Sequence, residues 1–339
     1  MKNITARRGA VAVAVAISAT LPLAGCSGDT SAESTADADG LTTVTVQTTQ
    51  VVSGQGLVMG DEQGYFEDEG LSLEYVDVAD TAAAVAAVQS GTLDFGFSPF
   101  VSVLQMASQG LDVQIVAPGD GYEIGQVVET DEEAAAIDAT AVYASAGSGI
   151  TSAEDLAGKT IAVPALSSQA DATITSVLQD MGVDTSGINW VKLDFTSALS
   201  SLESDQIDAA FLVSPYTVQA ENAGLVHVLS PGVRFFEEGA VSGWFTSTSF
   251  AEENPEIIEA FQEAVAEGAA WANANPTEAV QEVIDRTGLD VTPDELPVPY
   301  WPETIRTEDI ERMQEKLIAV GLYDDPVDLS TLILPQLDL

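Results

Sequence analysis

The sequence predicts an α/β protein with a mostly parallel β-sheet and enough chain for two lobes. Segments with strand character alternate with helical segments through most of the chain, a pattern typical of such sheets. A pattern of helix, turn, strand and then Ser-Pro-aromatic occurs twice, in residues 85–100 and 199–216. Without a 25-residue signal, the 339 residues still leave enough chain for two lobes of ordinary size.

The first 25 residues contain the three parts of a secretory signal. A cationic head ends at Arg8, an apolar stretch runs from Ala10 to Leu23, and small residues precede position 26. At about 14 residues the apolar stretch is too short to cross a bilayer as a helix, which needs about 20. We therefore predict a signal peptide over residues 1–25.

Cys26 is the single cysteine of the chain and directly follows Leu-Ala-Gly. This ending resembles the lipobox of bacterial lipoproteins, in which the cysteine is acylated and becomes the mature N-terminus. We expect lipidation at Cys26 and a flexible tether over residues 26–40, because residues 27–40 lack large apolar side chains. The alternative is a buried cysteine beside an ordinary cleavage site.

Composition excludes several classes of function. A single cysteine allows no disulfide framework, zinc-thiolate site or cysteine nucleophile in the body. The chain has 54 acidic and 10 basic residues, and three of the basic ones lie in the signal. This charge opposes binding to nucleic acid or to an anionic membrane surface. The single histidine, His227, lies in a strand-like run and is expected to be structural; we expect no metal and no cofactor.

Strand and helix signals follow one another from Leu41 onward. In the first part of the body the predicted strands are residues 43–47, 71–76, 93–97 and 113–117, and the predicted helices include 82–89 and 99–109. The alternation returns with strands at 160–163 and 190–193 around a helix at 170–181. After Asn254-Pro255, apolar residues at helical spacing (257, 258, 261, 265 and 269) predict a core-facing helix.

The repeated Ser-Pro-aromatic segment points to a ligand site. Ser98 and Ser214 are predicted N-caps, with Pro99 and Pro215 as the first helical residues. Both helix starts would then lie at the carboxyl ends of parallel strands, where open α/β sheets bind ligands and where free backbone N–H groups favour a polar or anionic group. The alternative is that two α/β units share the same capping chemistry by chance.

These segments resemble a family of solute-binding lipoproteins of ABC importers that bind nitrate, taurine and other sulfonates, and pyrimidine precursors of thiamine. The similar stretches keep the family's order and spacing over most of residues 43–330. They are residues 64–71, 88–96, 150–163, 206–210, 214–216, 250–255 and 321–328.

The resemblance implies a two-lobed periplasmic-binding-protein-like fold of type II, with a ligand cleft between lobes joined by two crossovers. Lobe one would comprise residues 41–144 and 239–339, and lobe two residues 145–238. The implied protein is a monomeric, non-enzymatic receptor on the outer face of the cell membrane, held there only by its lipid. It would capture a small solute as the lobes close and pass it to an ABC permease with its ATPase.

The resemblance also implies which residues contact the ligand. They come from four loops and the return crossover: Gln50, Ser53 and Gln55; Ser98 and Phe100; Ser167, Ser168 and Gln169; Ser214 and Tyr216; and Trp244. Trp244 would stack on a planar ligand. For Trp244 and Phe100 the alternative is ordinary hinge or core packing.

Two departures from the family pattern bear on the ligand. Relatives often carry an acid where Ser214 stands, and basic residues are scarce here, with Arg234 the one cation expected near the cleft. A neutral, heteroaromatic or amide-bearing solute is therefore favoured over nitrate or a sulfonate. Two other functions remain open: a ligand-sensing lipoprotein, and an enzyme like the thiamine-pyrimidine synthases, which rely on histidine and cysteine that this chain lacks.

Overall fold

The computed structural model describes residues 40–337 except 50, 79 and 289. Twelve strands are present among these residues. They are β1 Thr42–Gln47, β2 Leu71–Val76, β3 Gly96–Pro99, β4 Gln114–Pro118, β5 Gly121–Tyr122, β6 Thr140–Ala144, β7 Thr160–Val163, β8 Asn189–Lys192, β9 Ala209–Val213, β10 Val226–Leu229, β11 Gly239–Ala240 and β12 Ser242–Thr246.

The helices alternate with these strands, as the sequence predicts. They are α1 Gln55–Gln63, α2 Tyr65–Asp68, α3 Thr81–Ser90, α4 Phe100–Ser108, α5 Asp131–Ile137, α6 Gln169–Asp180, α7 Phe195–Glu203, α8 Tyr216–Asn222, α9 Pro231–Phe236, α10 Thr248–Glu253, α11 Pro255–Ala274, α12 Pro276–Thr287, α13 Thr307–Ala319 and α14 Leu329–Leu332. No helix in the described part of the chain is long and apolar enough to cross a membrane.

Two sheets with the same strand arrangement form the centres of lobe one and lobe two. The first runs β2-β1-β3-β12-β4, with β1 joined to β3 through a parallel bridge between Val46 and Phe95. The second runs β8-β7-β9-β6-β10. In each sheet the antiparallel fourth strand, β12 or β6, arrives from the other lobe. The repeated sequence segments form α3-β3-α4 and α7-β9-α8, which are equivalent units of the two lobes.

Sheet pairing places one strand in a different lobe from the predicted one. The sequence predicts residues 140–144 in lobe one, but as β6 they pair with β9 and β10 of the second sheet. Sequence alternation identifies a strand but does not identify its partner strand, so a strand that follows a crossover is easily assigned to the wrong lobe. The two crossovers also pair with each other, through β5 and β11.

Helix α11 follows the sequence pattern closely. It begins at Pro255, the first helical position, where a missing N–H costs nothing. Its predicted inward residues at 258, 261, 265 and 269 are buried, and Phe261 stacks on Phe95 with ring centroids 3.8 Å apart. This packing fixes the outer face of the first sheet.

Helix α13 links both lobes to the return crossover. It packs against α4 of lobe one and against α6 and α9 of lobe two. Arg312 donates from Nη2 to the carbonyl oxygens of Phe236 and Glu238 at 3.0 Å each. Lys316 Nζ donates to the carbonyl of Phe235 and to the Glu237 carboxylate, at 2.6 Å each. The crossover backbone is therefore held by cations of α13.

We expect Lys316→Met to lower the free energy of unfolding by about 1–2 kcal/mol, because it removes a charged donor from a half-buried carbonyl and a carboxylate. Lys192→Met is the matched control, since Lys192 is exposed at the end of β8, and it should change stability by less than about 0.5 kcal/mol. Urea denaturation measures both. Equal losses in the two variants would show that the contacts of Lys316 do not stabilise the crossover.

Candidate functional site

A carboxylate lies where strand β4 of the first sheet ends. Asp120 follows Gly119, and its carboxylate accepts hydrogen bonds from two hydroxyls, Ser53 Oγ at 2.8 Å and Ser242 Oγ. Ser53 belongs to the loop between β1 and α1, and Ser242 opens β12 on the return crossover. Three separate segments therefore meet at Asp120, which directly precedes the crossover strand β5.

Asp120 has no cationic partner among the described residues. Burial raises the pKa of the Asp120 carboxyl above its ordinary value, and the hydroxyls of Ser242 and Ser53 offset part of that rise. Arg234, the cation expected near the cleft, instead pairs with Asp131 of α5. The site in lobe one is thus a carboxylate surrounded by hydroxyls.

Two further hydroxyls, in segments next to those of Ser53 and Ser242, are buried without a hydrogen-bond partner in the described structure. They are Thr49 Oγ1 and Ser98 Oγ, in residues that are 5% and 0% exposed. Thr49 lies against the Ser53 loop, since a Cβ placed on Gly54 would come within 2.2 Å of Thr49 Oγ1. Ser98 pairs in register with Gly243, the neighbour of Ser242. Unpaired buried hydroxyls are uncommon in proteins, and each calls for an explanation, such as a water molecule or a ligand that completes the bonding.

Lobe two contributes the loop between β7 and α6. Ser168 is the N-cap of α6; its N–H donates to Asp171 Oδ1 at 2.6 Å, and its Oγ donates to the Ala165 carbonyl at 2.8 Å. The Ser167 carbonyl accepts a bond from Gln105 of α4 in lobe one at 3.2 Å. Gln169 Oε1 is buried and has no partner among the described residues. Of these three predicted residues, Gln169 has a buried side-chain atom without a partner, while Ser167 is exposed and its backbone, not its hydroxyl, forms the bonds seen here.

The second Ser-Pro segment is largely engaged within lobe two. Ser214 Oγ lies 3.0 Å from Thr217 Oγ1, and the Tyr216 ring packs on Phe195 with centroids 5.3 Å apart. Val218, two residues further along α8, belongs to a buried cluster that also includes residues of lobe one.

The predicted helix starts are wrong by one residue in both repeats. Helix α4 begins at Phe100 and α8 at Tyr216, and neither serine caps its helix through its side chain. In the first repeat the reason is sheet pairing: Ser98 and Pro99 are still paired with β12. The Ser98 hydroxyl is consequently not used for capping.

Three predicted ligand contacts lie in the protein interior. Gln55 is 0% exposed; its Nε2 donates to the Ala279 carbonyl at 2.9 Å and its Oε1 accepts from Arg286 at 2.8 Å. Phe100 and Trp244 are 0% and 1% exposed, with Trp244 packed edge-on against Phe97 at 5.1 Å. We therefore assign Gln55 and Phe100 to packing, the alternative that the sequence already left open for Phe100. The Trp244 ring is packed as well, but its Nε1 is buried without a hydrogen-bond partner in the described structure, as Ser98 Oγ is.

Two other predicted residues, Gln50 and Cys26, lie outside the described residues. His227 is half-buried; its Nε2 lies 3.0 Å from Ser230 Oγ and burial lowers its pKa. It lines a cavity of about 290 Å³, and Ser167 lines another of about 530 Å³. Within the described ranges, no group of His, Cys, Asp and Glu side chains is arranged to hold a metal ion.

Sequence reasoning missed Asp120 and Thr49. Asp120 is one acid among 54, and acids spread along a chain read as solvated surface. A usable signal was present in the segment Ala117-Pro118-Gly119-Asp120-Gly121, in which an acid flanked by glycines directly follows a buried strand. Gly119 is required there, because a Cβ would lie 2.6 Å from the Phe97 ring.

Two five-stranded lobes that exchange one strand each, with polar groups at the strand ends, define the two-lobed fold of periplasmic binding proteins. A family model described as NMT1/THI5 like matches residues 53–279. The chain therefore belongs to the NMT1/THI5-like family.

Relatives with known names agree with this assignment. A putative binding protein of Brucella abortus (strain 2308) is 26% identical over 225 residues, which are 66% of this chain and 64% of that protein's length. The taurine-binding periplasmic protein of Escherichia coli (strain K12) is 28% identical over 127 residues, or 38% of this chain and 39% of that protein.

Solved structures share the fold at low sequence identity. The periplasmic aliphatic sulphonate binding protein SsuA from Escherichia coli has a TM-score of 0.67 at 15% identity, covering 88% of this chain and 93% of that one. The desulfurization enzyme DSZB has a TM-score of 0.61 at 15% identity, covering 86% and 96%. The fold thus occurs in both binding proteins and an enzyme.

We expect Asp120→Asn to change how stability depends on pH. Because burial raises the pKa of Asp120, the folded state holds this proton more tightly than the unfolded chain, in which an Asp titrates near pH ~3.9. The wild type should therefore lose stability relative to the variant as the pH rises through the pKa of the folded carboxyl. Urea denaturation of both proteins between about pH 3 and about pH 7 measures the difference. A wild-type advantage that grows with pH would contradict this reading.

Proposed function

We propose that this protein is the extracytoplasmic solute-binding component of an ABC importer. It would capture a small polar or heteroaromatic solute between its two lobes and release it to a permease and its ATPase. The bound solute would favour the closed state, since a ligand shifts the equilibrium only by its differential affinity for the two states.

One observation carries this proposal: buried polar atoms without partners are present in both lobes of the described structure. Ser98 Oγ lies at the end of β3 in lobe one, and Gln169 Oε1 lies at the start of α6 in lobe two. Both positions follow the carboxyl ends of parallel strands, where α/β sheets bind ligands. A solute between the lobes would bond to both atoms, which neither lobe satisfies alone.

Export and anchoring complete the proposal. The predicted signal and Cys26 would place a lipid-anchored monomer on the outer face of the cell membrane, and the polar tether would let the body reach its permease. The names of the relatives support export and binding, since one is a taurine-binding periplasmic protein. A sensing lipoprotein would share this body and differ only in its partner.

An enzymatic role has less support. The enzyme DSZB shares the fold, but residues 27–339 of this chain contain no cysteine and one histidine. Asp120 is bonded to Ser53 and Ser242. The nearby titratable group is Tyr122, whose pKa is raised by burial, so that it is a poor partner for an acid–base pair.

Gln169→Met tests the proposed cleft. We expect the variant to lose at least about tenfold in affinity for a captured solute, because its acceptor Oε1 is removed, while its unliganded melting temperature stays equal or rises. Gln179→Met is the matched control at the exposed end of the same helix. Thermal-shift screening of the exported chain against sulfonates, amines and pyrimidines supplies the solute, and calorimetry measures affinity.

Equal affinities of Gln169→Met and Gln179→Met for the solute would place it elsewhere and contradict the proposed cleft. No binding to any member of the screen, together with no copurification of a permease from membranes, would contradict the importer function itself.

A further inference from the structure

We propose that the site selects solutes that present a hydrogen-bond-donating nitrogen group, an amine or an amide, and that Asp120 binds this group. The inference rests on the proposed function and names the chemical class of its ligand. It applies to a carboxylate at the crossover that the sequence did not identify as part of the site.

The Asp120 carboxylate can accept more hydrogen bonds than its two serine partners supply. An ionised carboxylate accepts about four hydrogen bonds, and the side chain here accepts one from Ser53 Oγ and one from Ser242 Oγ. Ser242 Oγ also accepts from the Asp120 N–H at 3.3 Å, so its orientation is fixed. The two serines hold the carboxylate in place and leave part of its acceptor capacity for a third donor.

Most of the unpaired buried polar atoms near the cleft can accept hydrogen bonds. Gln169 Oε1 in lobe two is an amide oxygen, which only accepts. Thr49 and Ser98 contribute hydroxyls that accept as well as donate. Trp244 Nε1 on β12 is an unpaired donor. A carboxylate, an amide oxygen and two hydroxyls can accept from a ligand that donates hydrogen bonds, and they outnumber this one donor.

The arginines of the described structure are paired with acids other than Asp120. Within the described residues, each arginine is paired with an acid: Arg234 with Asp131, Arg286 with Glu282, and the arginines at 306 and 312 with Asp309. Lys316 is paired with Glu237. Lys159, before β7, and Lys192, exposed at the end of β8, form no ion pair in the described structure, and neither of them contacts Asp120. A sulfonate has no donors of its own, and next to Asp120 it would meet a like charge without a cation bonded to that carboxylate.

The experiment compares three sets of probes with matched carbon skeletons: primary amines, primary amides and alkanesulfonates of four to six carbons. Isothermal titration uses the exported chain carrying Cys26→Ser at physiological ionic strength, where attraction to the acidic surface is screened. We expect amines or amides to bind and sulfonates not to bind. Binding of amines alone identifies a charged nitrogen as the recognised group, and binding of both identifies the N–H donor.

Asp120→Asn should weaken binding of the amine or amide probes about tenfold or more. Asp180→Asn, at the exposed far end of α6, removes the same charge from the surface and should leave affinity within about twofold. An equal loss in both variants would show general attraction to an acidic protein and would overturn the assignment to Asp120.

A measurement on the unmodified site applies even where Asp120→Asn fails to fold. A cation beside Asp120 favours the ionised carboxylate, so amine binding near pH 5 should release protons, as seen by titration in two buffers of different ionisation enthalpy. Tyr122, the nearby titratable group, stays protonated because burial raises its pKa. Proton uptake on binding would overturn the inference.

The same experiment distinguishes failure of the proposed ligand class from failure of the proposed function. Sulfonate binding without amine or amide binding would overturn the ligand class and leave the solute-binding function standing. Absence of binding in all three sets, with no copurified permease, would overturn both.

Discussion

Cationic side chains hold the backbone of the return crossover in place, and few cations are left for the rest of the molecule. Seven basic residues follow residue 25 in an acid-rich chain. Three of them hold residues 235–238: Arg306, which directly precedes α13, and Arg312 and Lys316 within it. The carbonyls of the crossover and the carboxylates beside it would otherwise be half-buried without partners, at a cost of about 1–3 kcal/mol for each unsatisfied group. Hinge backbone and α13 are thereby fixed to each other.

This use of the cations determines the character of the ligand site. With its arginines bonded elsewhere, the described part of the cleft contains hydroxyls, an amide oxygen and the Asp120 carboxylate. Asp120 directly precedes β5, which pairs with β11 across the hinge. A ligand bound at Asp120 would therefore contact the segment whose backbone must turn when the lobes close, so that binding and closure act on the same few residues.

The sequence predicts the secondary-structure elements of this molecule better than it predicts which strands pair. Alternating strands and helices, the two Ser-Pro-aromatic units and α11 follow from local patterns of apolar residues, and the structure has them. Pairing does not follow from local pattern, so β6 was placed in the wrong lobe. Helix α4 begins at Phe100, one residue later than predicted, for the same kind of reason, because Pro99 belongs to a strand whose partner β12 is far along the chain.

The site was harder to predict than the fold. Gln55 looked like a loop residue free for ligand, but its partners Glu282 and Arg286 are more than 220 residues away. Trp244 and Phe100 carry rings suited to stacking, yet both rings are enclosed by packing that only the folded sheet creates. Asp120 becomes recognisable when Ser53 and Ser242 are seen to converge on it from distant segments.

A crystal structure with the bound solute tests most directly whether the ligand binds at Asp120. We expect electron density between Ser98, Asp120 and Gln169, with a ligand nitrogen within about 3.2 Å of the Asp120 carboxylate. A solute found instead in the cavity beside His227, with Asp120 bonded only to Ser53 and Ser242, would contradict it.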